Sequence, residues 1–327
     1  MYSLTKKRIL KKGGCSMGAA KRAARKVRKT SKAASAKEKA FGTPYDDVFR
    51  TMSLKLPSLV IPLINEFFGE SYPRDTKIVN VSSKFFEEMD GDTRTRETDS
   101  YYEVDGKKVY HIECQSTQDG TMVFRIVEYD SLIMARRIED NALFFQDESG
   151  GTFPYRIVME MPASAVVFLR VTKNTPDYYE IVIRTPETEK DKEAQEVCYR
   201  VPILKMPLYT TDELLKKDLV FLFPFHIFAF EKRLENANEA EHKTVMEEIK
   251  TAYQKLDEYL KQKNNTGELD EYQTSIIREM AIKTSEALMG KGSDSAQEVK
   301  NYMGGKILTC EADKILDKGR KKNAPTL

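Results

Sequence analysis

Glu97-Thr98-Asp99-Ser100-Tyr101-Tyr102-Glu103-Val104-Asp105-Gly106-Lys107-Lys108-Val109-Tyr110-His111-Ile112-Glu113-Cys114-Gln115 is the stretch whose reading decides the fold. Two runs rich in aromatic and β-branched residues flank Asp105-Gly106, a dipeptide that accepts the backbone of a tight turn, so the reading is an antiparallel hairpin. With a three-residue loop of Val104, Asp105 and Gly106, Glu103 faces Lys107 and Asp99 faces His111. Glu113 then falls diagonally on the face that carries Asp99. Side chains alternate along a strand, so Gln115 shares that face, while Cys114 points away and offers its backbone carbonyl. A two-residue turn would separate Asp99 from Glu113, and the arrangement therefore depends on the odd-length loop.

Beyond the hairpin, Thr121 to Ile138 repeats apolar residues at Met122, Ile126, Leu132, Ile133 and Ala135, which predicts an amphipathic helix packed on the sheet. Further strands are expected at Tyr155 to Met161, Ala165 to Val171, Tyr179 to Arg184 and Val197 to Leu204. Upstream, Thr43 caps a helix that Pro44 begins, with Asp46 and Asp47 in its first turn, and Leu59 to Phe68 forms a second helix ending at Gly69. From Thr211 the pattern turns helical, through Lys232 to Leu260 and Glu268 to Met289. The expected class is α/β, a mixed sheet core flanked by helices with a helical C-terminal appendage. The expected division is a basic tail at 1–42, a catalytic-type α/β domain at 43–210 and a mainly helical region at 211–327.

The paired acids suggest a chemistry. Asp99, Glu113 and the Cys114 carbonyl make a set of hard oxygen donors of the kind Mg²⁺ takes, with Mn²⁺ as a substitute. A metal there relieves phosphate charge and activates a water for hydrolysis. Gln115 can orient that water or a phosphate oxygen. Arg125, which the following helix returns over the sheet near Tyr129 and Arg136, supplies the positive charge that Gln115 lacks.

Asp99, then Glu113-Cys114-Gln115-Ser116, then Met122-x-x-Arg125-x-x-x-Tyr129 resembles the core of the recombination-promoting nuclease and transposase-associated branch of the PD-(D/E)xK superfamily. Tyr45-Asp46-Asp47-Val48-Phe49-Arg50 is similar to that family's opening helix, and the resemblance runs from about Pro44 to Val171. It implies a restriction-endonuclease-like fold and a Mg²⁺-dependent DNA endonuclease linked to recombination or mobile elements. It also implies that Asp99 and Glu113 are metal ligands, Gln115 a positioner and Asp46 an outer acid at the site. Cys114 stands where the family often has histidine, and only its carbonyl is needed. The alternative is a catalytically inactive nuclease-fold protein that binds nucleic acid or a protein partner, and a third reading is a regulatory protein that assembles through its helical part.

Charge is unevenly spread. Residues 1 to 40 hold 14 Lys and Arg against the single acid Glu38, leaving 39 bases against 50 acids beyond, while the whole chain of 327 residues is only +2. Such a tail is suited to condense on phosphates by counterion release, or to stand solvated. Lys11 to Ser16 can be encoded by a purine-rich ribosome-binding sequence, which makes Met17 an alternative start. The four cysteines, Cys15, Cys114, Cys198 and Cys310, are scattered without CxxC or Cys/His spacing, so neither a disulfide framework nor a zinc site is expected, and a reducing cytoplasm fits. The longest apolar stretch, Leu219 to Phe230, is broken by Pro224 and His226 and too short to span a bilayer. DNA is the expected partner, with a homodimer to cut both strands.

Several conspicuous residues read as structural. His111 packs beside Tyr101, His226 sits in the core, and the phenylalanines from Phe221 to Phe230 fill that core instead of stacking bases. Lys318 to Lys322 is a solvated basic run.

Overall fold

The computed structural model describes residues 43–81, 100–116, 120–136, 143–146, 152–188 and 195–303. The basic tail, Asp99 and Lys318 to Lys322 lie outside them. Gly42–Leu327 form one compact unit, and the architecture is α/β.

The chain enters through α1 (Pro44–Lys55). Thr43 is its N-cap and Asp46 its third residue, joined in a reciprocal capping box, with Pro44 at the first helical position. After a turn of 3₁₀-helix comes α2 (Ile61–Phe68), which ends on Gly69 in the left-handed conformation. Strand β1 (Ile78–Asn80) leads to β2 (Tyr101–Val104) and β3 (Lys108–Gln115), followed by helix α3 (Met122–Arg136). A separate pair, β4 (Leu143–Gln146) and β5 (Thr152–Arg156), precedes β6 (Ala163–Phe168), β7 (Tyr178–Arg184) and β8 (Glu196–Lys205).

The main sheet is mixed, in the order β1-β2-β3-β6-β8-β7. The β1-β2-β3 meander and the β8-β7 pair are antiparallel, while β3-β6 and β6-β8 run parallel. The expected strand at Tyr155 to Met161 is corrected: it ends at Arg156, and Ile157, Val158 and Met159 are exposed. The residues before it pair in the small β4-β5 sheet instead of the main ladder.

The expected hairpin register is also corrected. Val104 pairs with Lys108, Glu103 with Val109 and Tyr101 with His111, so the loop is Asp105, Gly106 and Lys107. The cause is local. Asp105 and Gly106 both have positive φ, 52° and 66°, and the Lys107 N–H closes on the Val104 carbonyl, so the turn centres one residue later than expected. A three-residue loop keeps the parity, and odd-numbered residues of β2 and β3 share a face as the sequence implied.

That parity divides the protein. The even face of β3, Tyr110, Ile112 and Cys114, enters the larger apolar core with α1, α2 and the segments after residue 211. Phe221 and Phe225, in a 3₁₀ stretch from Val220 to Ala229, meet Phe49 of α1 edge-on and tilted, with ring centres 5.2 and 6.1 Å apart. Phe221, Phe223, Phe225 and Phe228 are buried, as expected of core residues. Helices α4 (Thr211–Lys216), α5 (Glu231–Asn236), α6 (Glu239–Asn265), α7 (Glu271–Met289) and α8 (Asp294–Tyr302) complete this side. The odd face of β3 turns to α3, whose Met122 and Ile126 meet Val166 and Phe168 of β6 in a smaller core. At β3 the sheet is covered on both faces, which is how this strand comes to bury polar residues on one side and apolar residues on the other.

Candidate active site

The odd face of β3 carries His111, Glu113 and Gln115, which are 0, 0 and 5% exposed. A buried charge is costly unless it is paired and hydrogen-bonded, and here each is. Glu113 Oε1 lies 3.0 Å from His111 Nε2, and Glu113 Oε2 accepts a 2.7 Å bond from Arg125 Nη2. The same guanidinium reaches Gln115 Oε1 through Nη1 at 3.5 Å. The other imidazole nitrogen, Nδ1, lies 2.9 Å from Asp130 Oδ1, to which Ser164 on β6 also donates at 2.6 Å.

Both His111 nitrogens therefore face carboxylates, an arrangement that a doubly protonated ring satisfies by donating to both. Burial by itself drives a proton off the ring, but the hydrogen bonds to Asp130 and Glu113 outweigh it and raise the imidazole from its ordinary value to about 9. His111 is thus a buried cation bridging two acids. Tyr101 is its register partner across the hairpin, and Tyr129 meets its ring edge-on at 5.8 Å.

Helix α3 supplies the rest. Arg125, Tyr129 and Asp130 fall on the side that faces β3, one turn apart, and Arg125 stacks on the Tyr129 ring at 5.8 Å. Asp46 joins from α1. Its carboxyl accepts the Thr43 N–H at 2.7 Å, and burial raises it above the usual carboxylate range, against the Thr43 hydrogen bonds and the charge of Arg125. Capping and proximity to the site are therefore both true of Asp46. The helix start is held near the strand end by Thr43 Oγ1, 3.4 Å from Ser116 Oγ. Arg170 fixes the same point, donating to the Ser116 carbonyl at 2.9 Å while it pairs with Glu231 of α5 and lies over Phe228 at 4.9 Å.

Backbone direction bears on Cys114. The Gln115 carbonyl accepts the Leu169 N–H on the β6 side, and the Ile112 N–H goes to the Ser100 carbonyl on the β2 side. Alternation along β3 turns the Cys114 carbonyl to the β2 side. The Cys114 thiol is buried in the larger core.

The structure thus brings Asp46, Glu113, Gln115 and Arg125 together at the carboxyl end of β3. Asp99 stands next to Ser100 in the chain but outside the described residues. No family model, curated protein or solved structure matches this chain.

Two residues escaped the sequence reading. His111 was read as packing, which hid its role as the cation of the cluster. Asp130 left a signal that could have found it: it sits in the stripe of Met122, Ile126, Tyr129 and Ile133, where an acid has no place unless a buried partner waits for it.

The donor chemistry can be tested against a divalent cation. Glu113 Oε2 and Gln115 Oε1 already converge on one cation, the Arg125 guanidinium, and they are hard oxygen donors. Among the described residues, Glu113 pairs with His111 and Arg125, Asp130 pairs with His111, and Asp46 lies within the field of Arg125. Among the described residues no group of three or more His, Cys, Asp or Glu side chains is placed to hold a metal ion.

Proposed function

We propose that this protein is a Mg²⁺-dependent DNA endonuclease of the PD-(D/E)xK type, linked to recombination or mobile elements. The observation that supports it best is the convergence of Glu113 and Gln115 on one cation at the carboxyl end of adjacent parallel strands, with Asp46 beside them. The carboxyl ends of parallel strands are where α/β sheets commonly place ligands.

In this reading Glu113, the Cys114 carbonyl and Asp99 hold the metal. Bound Mg²⁺, or Mn²⁺ in its place, would polarise the phosphodiester and lower the pKa of a water. The chain's own groups do the rest. Glu113 is a ligand, held in place by the His111 ring behind it. Gln115 orients a water or phosphate oxygen. Arg125 is one-third exposed, and in this reading its guanidinium also contacts a non-bridging phosphate oxygen, to which it can bond bidentately.

The test is Mn²⁺ binding measured by titration calorimetry and electron paramagnetic resonance. Wild-type protein should bind, Glu113→Gln should lose binding, and Arg125→Met should bind more tightly because it removes a competing cation. Equal affinity in all three would contradict the assignment.

A second reading has an observation of its own: both Glu113 oxygens are already engaged, by His111 and Arg125. That closed arrangement suits a nuclease-fold protein which binds nucleic acid or a protein without cutting. Retention of a DNA duplex with no Mn²⁺ binding would favour it.

A further inference from the structure

Strand β7 ends the main sheet, and its outer edge is open among the described residues. The Thr185 N–H bonds to Gln195, and the Asp177 carbonyl accepts from Ile203, so odd-numbered residues of β7 spend their backbone groups on β8. Even-numbered residues, Glu180, Val182 and Arg184, must then point their N–H and C=O groups outward. The exposed side chains here are both charged and apolar. Val182 and Ile183 on β7 and Val197 on β8 are 45, 48 and 56% exposed. An unpaired edge with exposed aliphatic residues is a surface that proteins usually blunt.

We propose that β7 is a dimerisation edge, on which a second copy of this chain adds its own β7 antiparallel across a two-fold axis at Val182. The register follows from charge and backbone direction. An axis on a residue always pairs even positions with even positions, as the outward groups require, and charge selects among them, since an axis on Val182 sets Glu180 against Arg184. An axis at Glu180 would oppose Glu180 to itself, and one at Arg184 would oppose two arginines. At Val182, Glu180 of each chain faces Arg184 of the other. Glu180 already neighbours Arg200 on β8, and Arg184 neighbours Glu196. The four strands would therefore carry an alternating row, Glu196, Arg184, Glu180 of the second copy and Arg200 of the second copy. On the opposite face, exposed Ile183 would meet Ile181 of the second copy. Pro186, opposite Tyr178, has no N–H and would end the ladder.

This contact is isologous, as closed two-fold dimers require, and would join two six-stranded sheets into one. It stands on the edge strand alone and holds whether or not the nuclease reading does.

Sedimentation of the full chain tests it. Wild-type protein should sediment at twice its 37.6 kDa. Arg184→Glu and Glu180→Arg should each sediment as monomers, since each opposes like charges at both pairs. Their equimolar mixture should return to a dimer, because the two variants complement each other. Val182→Pro, which removes an outward N–H and spares the β8 ladder, should also be monomeric. A monomeric wild type, a dimer unchanged in all variants, or charge variants that stay monomeric when mixed would overturn the proposal.

Discussion

His111 is held between Glu113 and Asp130 with no exposed surface, so its removal leaves two buried acids short of a cation. Breaking a buried pair from one side costs about 3–5 kcal/mol, and His111→Leu should lower stability by that order in denaturant unfolding. The pH dependence has a definite sign. The folded-state pKa of His111 is raised to about 9, so its contribution is full below the unfolded value and fades as pH rises through about 9. His226 works in the opposite window. Burial lowers it to about 4, Thr211 Oγ1 lies 2.9 Å from its Nε2, and its Nδ1 has no partner. The unfolded chain therefore takes up the proton first on acidification, and stability falls from about pH 6.5 towards about pH 4. Stability measured against pH should show a maximum flanked by both losses, and His111→Leu should remove the alkaline loss while leaving the acid one. A curve whose alkaline arm is the same in the variant would contradict the bridging cation.

At the level of elements, the hairpin turns on Asp105 and Gly106. Gly106 has φ 66°, and a Cβ there would meet only Glu103 Oε1 at 3.6 Å, so space is sufficient and backbone strain decides. Gly106→Ala should cost about 1 kcal/mol in thermal unfolding, with Asn tolerated better. The same turn explains what the sequence made legible. Asp-Gly between alternating runs fixes an antiparallel hairpin and an odd-length loop fixes which residues share a face, so Glu113 and Gln115 were placed together correctly. The register was not legible, because whether the loop starts at Val104 or Asp105 depends on how many residues take positive φ. Helix α3 was visible from its stripe, and Arg125 reaches the odd face of β3 as that stripe implied. Partners across elements were harder to see. Ser164 meets His111 because β6 lies parallel to β3, a crossover that local periodicity does not encode, and Asp130 meets it from the helix packed over that face.

Across the whole molecule, the α/β class was legible from strand and helix patterning, and the mixed sheet agrees with it. What patterning did not reveal is how far the helices after residue 211 serve the site: Glu231 of α5 holds Arg170, and Arg170 holds the Ser116 carbonyl at the end of β3. Arg170→Met should therefore loosen the strand end and reduce cutting while leaving Mn²⁺ affinity less affected than Glu113→Gln does. The uneven charge makes a further prediction. Deleting residues 1 to 40 removes 14 basic residues from a chain whose remainder is acidic, so DNA affinity should fall and its dependence on salt should flatten. The central claim is tested most directly by incubating supercoiled plasmid with the purified full chain in Mg²⁺ and in EDTA, with Asp99→Ala and Glu113→Gln alongside. The account predicts nicking that needs Mg²⁺ and disappears in both variants. No nicking by wild-type protein, or nicking that survives either substitution, would contradict it.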